Sequence, residues 1–142
     1  MIDLHDNEIR YKNKVRISRA EELTQVKAYV FGDRFQCLEF RKAVYETFLR
    51  SNVEHKSPPY FQTITYALNN LPAKDLLLKV LIDTHCAFYK PKYEDEVEIQ
   101  HRDDIPREFL TRTMLRYSNG IFHVPTRAEY PFVDKAVGGD GQ

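Results

Sequence analysis

Cysteine is scarce in this 142-residue chain, charge of neither sign is in excess, and no long apolar run occurs. Each shortage removes a class of protein. Cys37 and Cys86 are too few and too far apart for a disulfide framework or a zinc set. Both fall within apolar helical patterns, so reduced core thiols are expected. Lys plus Arg equals Asp plus Glu at 21 each, so the overall field neither draws the chain to nucleic acid nor repels it. No run approaches the ~18 apolar residues of a membrane span, and the opening MIDLHDNEIRYK lacks the apolar stretch of a signal peptide. The expectation is a cytoplasmic or nuclear protein with no membrane partner. Gly-x-Ser-x-Gly, a Walker loop and a dinucleotide fingerprint are also missing.

What is present is packing material. Hydrophobic residues make up 42% of the chain, with nine Phe and nine Tyr, which suits one soluble domain. A chain this long buries roughly 70% of the surface it would expose unfolded. Ile9, Tyr11, Val15 and Ile17 alternate with Arg10, Lys12, Lys14 and Arg16, the period of a possible short N-terminal strand. Residues 1–17 are read as that arm or strand.

Ser18 followed by Glu21 has the form of a capping box, which starts a helix at Arg19 with Leu23, Val26, Val30 and Phe31 at helical spacing. Gly32 is its weak point, and a hinge over Gly32–Cys37 leads to a second helix, Leu38 to Asn52, with Phe40, Val44 and Phe48 on one stripe. Pro58 and Pro59 break the pattern. A third helix runs from about Tyr60 to Pro72, and a fourth, from Lys74 to about Tyr89, is apolar on almost every side and should be the most buried. Tyr93 to Asp104, with Glu94, Asp95, Glu96, Glu98, Asp103 and Asp104, reads as a solvated loop. Asp103 or Asp104 then caps a fifth helix whose inner face is Phe109, Leu110, Thr113, Met114 and Tyr117. The fold expected is all-α: about five amphipathic helices in an antiparallel array over residues 18–120, with a disordered, flexible tail at 121–142.

No constellation supports catalysis, a metal or a cofactor, so the chain is expected not to be an enzyme. His85 and Cys86 are adjacent on a helix, about a hundred degrees apart, and do not converge on one ligand. Core packing explains them better. The carboxylates of 94–104 lack calcium-loop spacing, and His5, His55, His101 and His123 are scattered. The ladder Arg10, Lys12, Lys14, Arg16 could track a phosphate backbone, which makes a nucleic-acid-associated domain the alternative reading. Protection of an edge strand is preferred, because no aromatic is interleaved on the basic side.

The segment Val26-Lys27-Ala28-Tyr29-Val30-Phe31-Gly32-Asp33-Arg34-Phe35-Gln36-Cys37-Leu38-Glu39-Phe40-Arg41 resembles the helix pair that closes a BTB/POZ domain. Tyr66 to Pro72 and Leu78 to Asp83 resemble the helical extension of fungal BTB-containing proteins, and Ile105 to Leu110 with Met114 to Tyr117 resembles its last helix. The strand-and-helix core that precedes these helices in the family is not found in this sequence, as expected of a truncated gene product, a fragment or a family member reduced to its helical half. Dimerisation and, in some animal relatives, cullin-type ubiquitin ligase engagement reside in that core and are not carried over. The resemblance implies a protein-interaction module, an adaptor or scaffold, that offers helix faces or the 53–59 and 92–104 loops to a protein partner. Uncovered apolar faces at Phe31, Phe40, Val44 and Phe48 further imply self-association.

Overall fold

A computed structural model of the chain describes residues 16–119 and 123–133. Among these residues the fold is all-α. The helices are α1 (Arg19–Arg34), α2 (Leu38–Phe48), α3 (Phe61–Asn70), α4 (Leu76–Phe88), α5 (Glu96–Arg102) and α6 (Arg107–Ser118). The proposed strand lies outside the described residues except for Arg16 and Ile17, which are not in a strand.

α1 begins where the cap predicts: the Ser18 hydroxyl accepts the Glu21 N–H at 3.1 Å, satisfying one of the orphan amides of the first turn. The helix does not weaken at Gly32. Gly32 is buried, and a Cβ there would stand 3.2 Å from the Arg41 Cβ and 3.3 Å from the Phe40 ring. The glycine is where α2 crosses close to α1. Tyr29 facing Tyr45, with ring centroids 6.5 Å apart, continues this antiparallel contact.

α2 ends earlier than its apolar stripe suggests, at Phe48, and the chain continues as a wide turn of π-helix over Leu49–Glu54. The wider turn keeps Leu49 and Val53 in the core, at 2% and 4% exposure. α3 lies on the other side of α1 and runs in the same direction, since Glu22 meets Tyr60, Lys27 meets Tyr66 and Arg34 meets Asn70. Its first amides have no side-chain cap of their own. Instead Glu22 of α1 accepts the Tyr60 N–H at 2.9 Å and Glu98 of α5 accepts the Phe61 N–H at 3.1 Å.

α4 is the most buried helix, with Leu77, Leu78, Val80, Leu81 and Ile82 all inside. Each such side chain contributes roughly 1.5–3 kcal/mol. Asp75 caps it by accepting the Leu77 N–H at 2.9 Å.

The acidic stretch is only partly the loop that its polarity implies. Asp95 caps α5 by accepting the Glu98 N–H at 2.8 Å and also holds Arg19 at 2.8 Å, while Glu98 is buried. α6 starts from Pro106, without a cap from Asp103 or Asp104. Of its expected inner face only Phe109 is buried; Leu110, Met114 and Tyr117 are more than half exposed, α6 resting mainly on α3 and α4 among the described residues.

Part of the expected tail is anchored. Tyr130 is fully buried, its hydroxyl donating to Asp83 at 2.8 Å while its carbonyl accepts the Tyr45 hydroxyl at 2.8 Å. The Phe132 ring packs tilted against Tyr45, with centroids 5.4 Å apart. Residues 121–122 and 134–142, the remainder of that stretch, lie outside the described residues.

Candidate interaction surface

The exposed apolar residues of α1 and α2 gather where the two helices meet. Phe31 (54% exposed), Phe35 (64%), Leu38 (37%) and Phe40 (46%) all lie at or beside the turn between them. The Phe31 and Phe35 rings are 4.5 Å apart, one helical turn from each other. The stripe expected on α2 is therefore graded: Phe40 is exposed, Val44 half-buried against the core and Phe48 fully buried.

The corner is a defined shape. Gln36 turns the chain with φ of 55°, a left-handed conformation that costs a non-glycine residue of order 1 kcal/mol. The Cys37 N–H bonds the Gly32 carbonyl at 2.9 Å. Beneath it, the Arg41 guanidinium pairs with Asp33 at 3.0 Å and lies 5.0 Å over the Phe132 ring. Arg41 is itself buried at 6% exposure, so it holds the two helices together from inside. Cys37, expected in the core, is exposed at the start of α2, where the chain is still turning; Cys86 is half-buried and packs on the core.

The other residues weighed in the sequence fall elsewhere. His85 is caged by aromatics: stacked on Tyr89 at 4.6 Å, edge-on to Phe109 at 4.9 Å and 6.0 Å from Phe61. Burial in this cage lowers its pKa to about 4. Cys86 faces away toward Tyr117, whose hydroxyl lies 3.5 Å from the Cys86 carbonyl. Of the basic ladder only Arg16 is described, and it is engaged: its guanidinium lies 4.2 Å over the Tyr60 ring and donates to the Pro58 carbonyl at 3.1 Å. Arg10, Lys12 and Lys14 lie outside the described residues, as does His5. His101 pairs with Asp104 at 3.5 Å and His123 with Glu129 at 2.7 Å, far apart in the sequence and without further ligands. Among the described residues no group of His, Cys, Asp and Glu is placed to hold a metal ion, and no helix is long and apolar enough to cross a membrane.

The 53–59 loop presents only its tip. Val53 and Ser57–Pro59 are buried, leaving only Glu54–Lys56 exposed. One buried group here missed by sequence reasoning is Glu22. It is 2% exposed, and loss of hydration raises its pKa to about 7 against the opposing pull of the Tyr60 N–H. Its place on the inner side of α1, in register with Val26 and Tyr29, was the available signal.

Comparisons of the chain with protein-family models, with curated proteins and with solved structures return no match.

Proposed function

We propose that this chain is a non-catalytic protein-protein interaction module, an adaptor or scaffold, that meets a partner protein through the aromatic corner of α1 and α2. The observation that carries this reading is four large apolar side chains standing exposed on a corner clamped from beneath by a buried arginine. Contiguous apolar surface of this kind marks interaction sites. Rigid aromatics are enriched where binding energy concentrates. The resemblance to the helix pair that closes a BTB/POZ domain supports the same face. In that family the pair closes on a strand-and-helix core, and a folded, flat apolar surface of that kind is the occupant that suits this corner. A second copy of the chain is a weaker occupant for the same patch, seen as self-association at high concentration.

The test compares wild type with Phe35→Glu by proximity labelling in cells, alongside thermal melts of both. Phe35 is the most exposed of the four, so the fold should be unchanged. Proteins labelled by wild type and lost at least about tenfold in the variant support the corner as the binding face. Equal labelling by both, with coincident melts, would overturn it.

A further inference from the structure

Between the start of α4 and α6 lies a second feature, a cleft of 420 Å³ lined by Lys74, Lys79, Arg112 and Arg116 together with Ile82 and Leu115. Two buried carboxylates also line it. Asp75, 2% exposed, accepts from the Tyr29 hydroxyl at 2.8 Å and from the Leu77 N–H. Asp83, 5% exposed, accepts from the Tyr130 hydroxyl and pairs with Lys79 at 2.9 Å and Arg116 at 3.1 Å. Asp83 thereby fixes where two of the cations stand and offsets part of their charge. Arg112 is held by the Ala73 carbonyl and by Glu108. Lys74 is exposed and makes no ion pair among the described residues. Four cations against two carboxylates leave the lining with a formal excess of positive charge.

We propose that this cleft docks an acidic segment of a partner protein, whose carboxylates meet Lys74 and Arg112 while a neighbouring apolar side chain covers Leu115, which is 59% exposed. Charge complementarity selects the sign of the segment. The cations come from the turn before α4, from α4 and from α6, with Leu115 exposed among them, a spread of charge around an apolar side chain that an extended peptide matches and a lone phosphate does not. The aromatic corner contributes no residue to this cleft, so the two sites stand or fall separately.

The experiment is fluorescence anisotropy of a labelled short peptide of alternating Glu and Leu titrated with the full chain, with an alternating Lys and Leu peptide as control and inorganic pyrophosphate as competitor. Wild type should bind the acidic peptide only, and more weakly as salt is raised. Lys74→Glu with Arg112→Glu should weaken binding by about tenfold or more. Lys74→Glu alone, at an exposed and unpaired position, should weaken it measurably without touching the fold. Phe35→Glu should leave it unchanged. Absence of acidic-peptide binding, affinity unaltered by Lys74→Glu, loss of binding in Phe35→Glu, or tight pyrophosphate binding without peptide binding would each overturn the assignment.

Discussion

Replacing Glu22 by Gln should uncover a titration that the wild-type protein conceals. Two buried groups here respond to pH in opposite directions. Glu22 has its pKa raised from 4.5 to about 7, so the folded state holds this proton more tightly than the unfolded chain. Its contribution is fully present below pH 4.5 and is lost as pH climbs through 7. His85 has its pKa lowered from 6.5 to about 4, so the folded state resists protonation. Its contribution is fully present above pH 6.5 and is lost as pH falls through 4. At about 1.4 kcal/mol per tenfold change in proton affinity, each window is worth about 3 kcal/mol. The two slopes oppose one another over the shared interval from 4.5 to 6.5, where the net effect of the pair is close to flat. In Glu22→Gln the His85 slope stands alone, and stability should rise by about 3 kcal/mol from pH 4 to pH 6.5. His85→Phe, which preserves the aromatic cage, should show the reverse, a fall of similar size from pH 4.5 to pH 7. Urea unfolding at half-unit pH steps measures both, with a constant m-value as the check that the unfolded reference is unchanged. Profiles of either variant that run parallel to wild type would refute the reasoning.

Gly32→Leu should cost about 2 kcal/mol in urea unfolding, because a side chain at the helix crossing meets Arg41 and Phe40 and forces α2 away. Tyr130→Phe should cost about 1–2 kcal/mol, since it removes a buried donor to Asp83 while leaving the ring packed; an unchanged denaturation midpoint would detach the 123–133 segment from the core. Asp95→Ala should lower the melting temperature by an amount equivalent to about 1 kcal/mol, through loss of both the α5 cap and the Arg19 pair. Phe31→Glu should reduce light-scattering evidence of self-association without lowering thermal stability, given its 54% exposure.

Local chemistry announced most of the helices. Ser18, the prolines at 58, 59 and 72, and the 3.6-residue spacing of apolar side chains act over one or two turns, which is the range a sequence displays directly. α5 escaped because its composition is acidic. Its signal was nonetheless present in Asp95 and Glu98 at capping-box spacing, and Glu98 is buried only because Arg19 and the Phe61 amide come to it from elsewhere. Tyr130 escaped for a similar reason, since its partners Tyr45 and Asp83 lie 85 and 47 positions away. The aromatic corner was half legible. Phe31 and Phe40 read as candidates for an uncovered face, but the pattern cannot say which member of a stripe the neighbouring helices leave bare. Phe48, on the same stripe, is wholly inside. Gly32 reads as a helix breaker in isolation and becomes a contact point only once α2 folds back.

The start of α3 has a consequence for how the chain reaches this state. Its first amides are satisfied by carboxylates that arrive from opposite ends of the polypeptide, Glu22 before it and Glu98 after it. On the ribosome the Tyr60 amide can meet Glu22 as soon as both have emerged, whereas the Phe61 amide waits for Glu98. The start of α3 thereby ties α1 to α5, which lie on either side of it in the sequence.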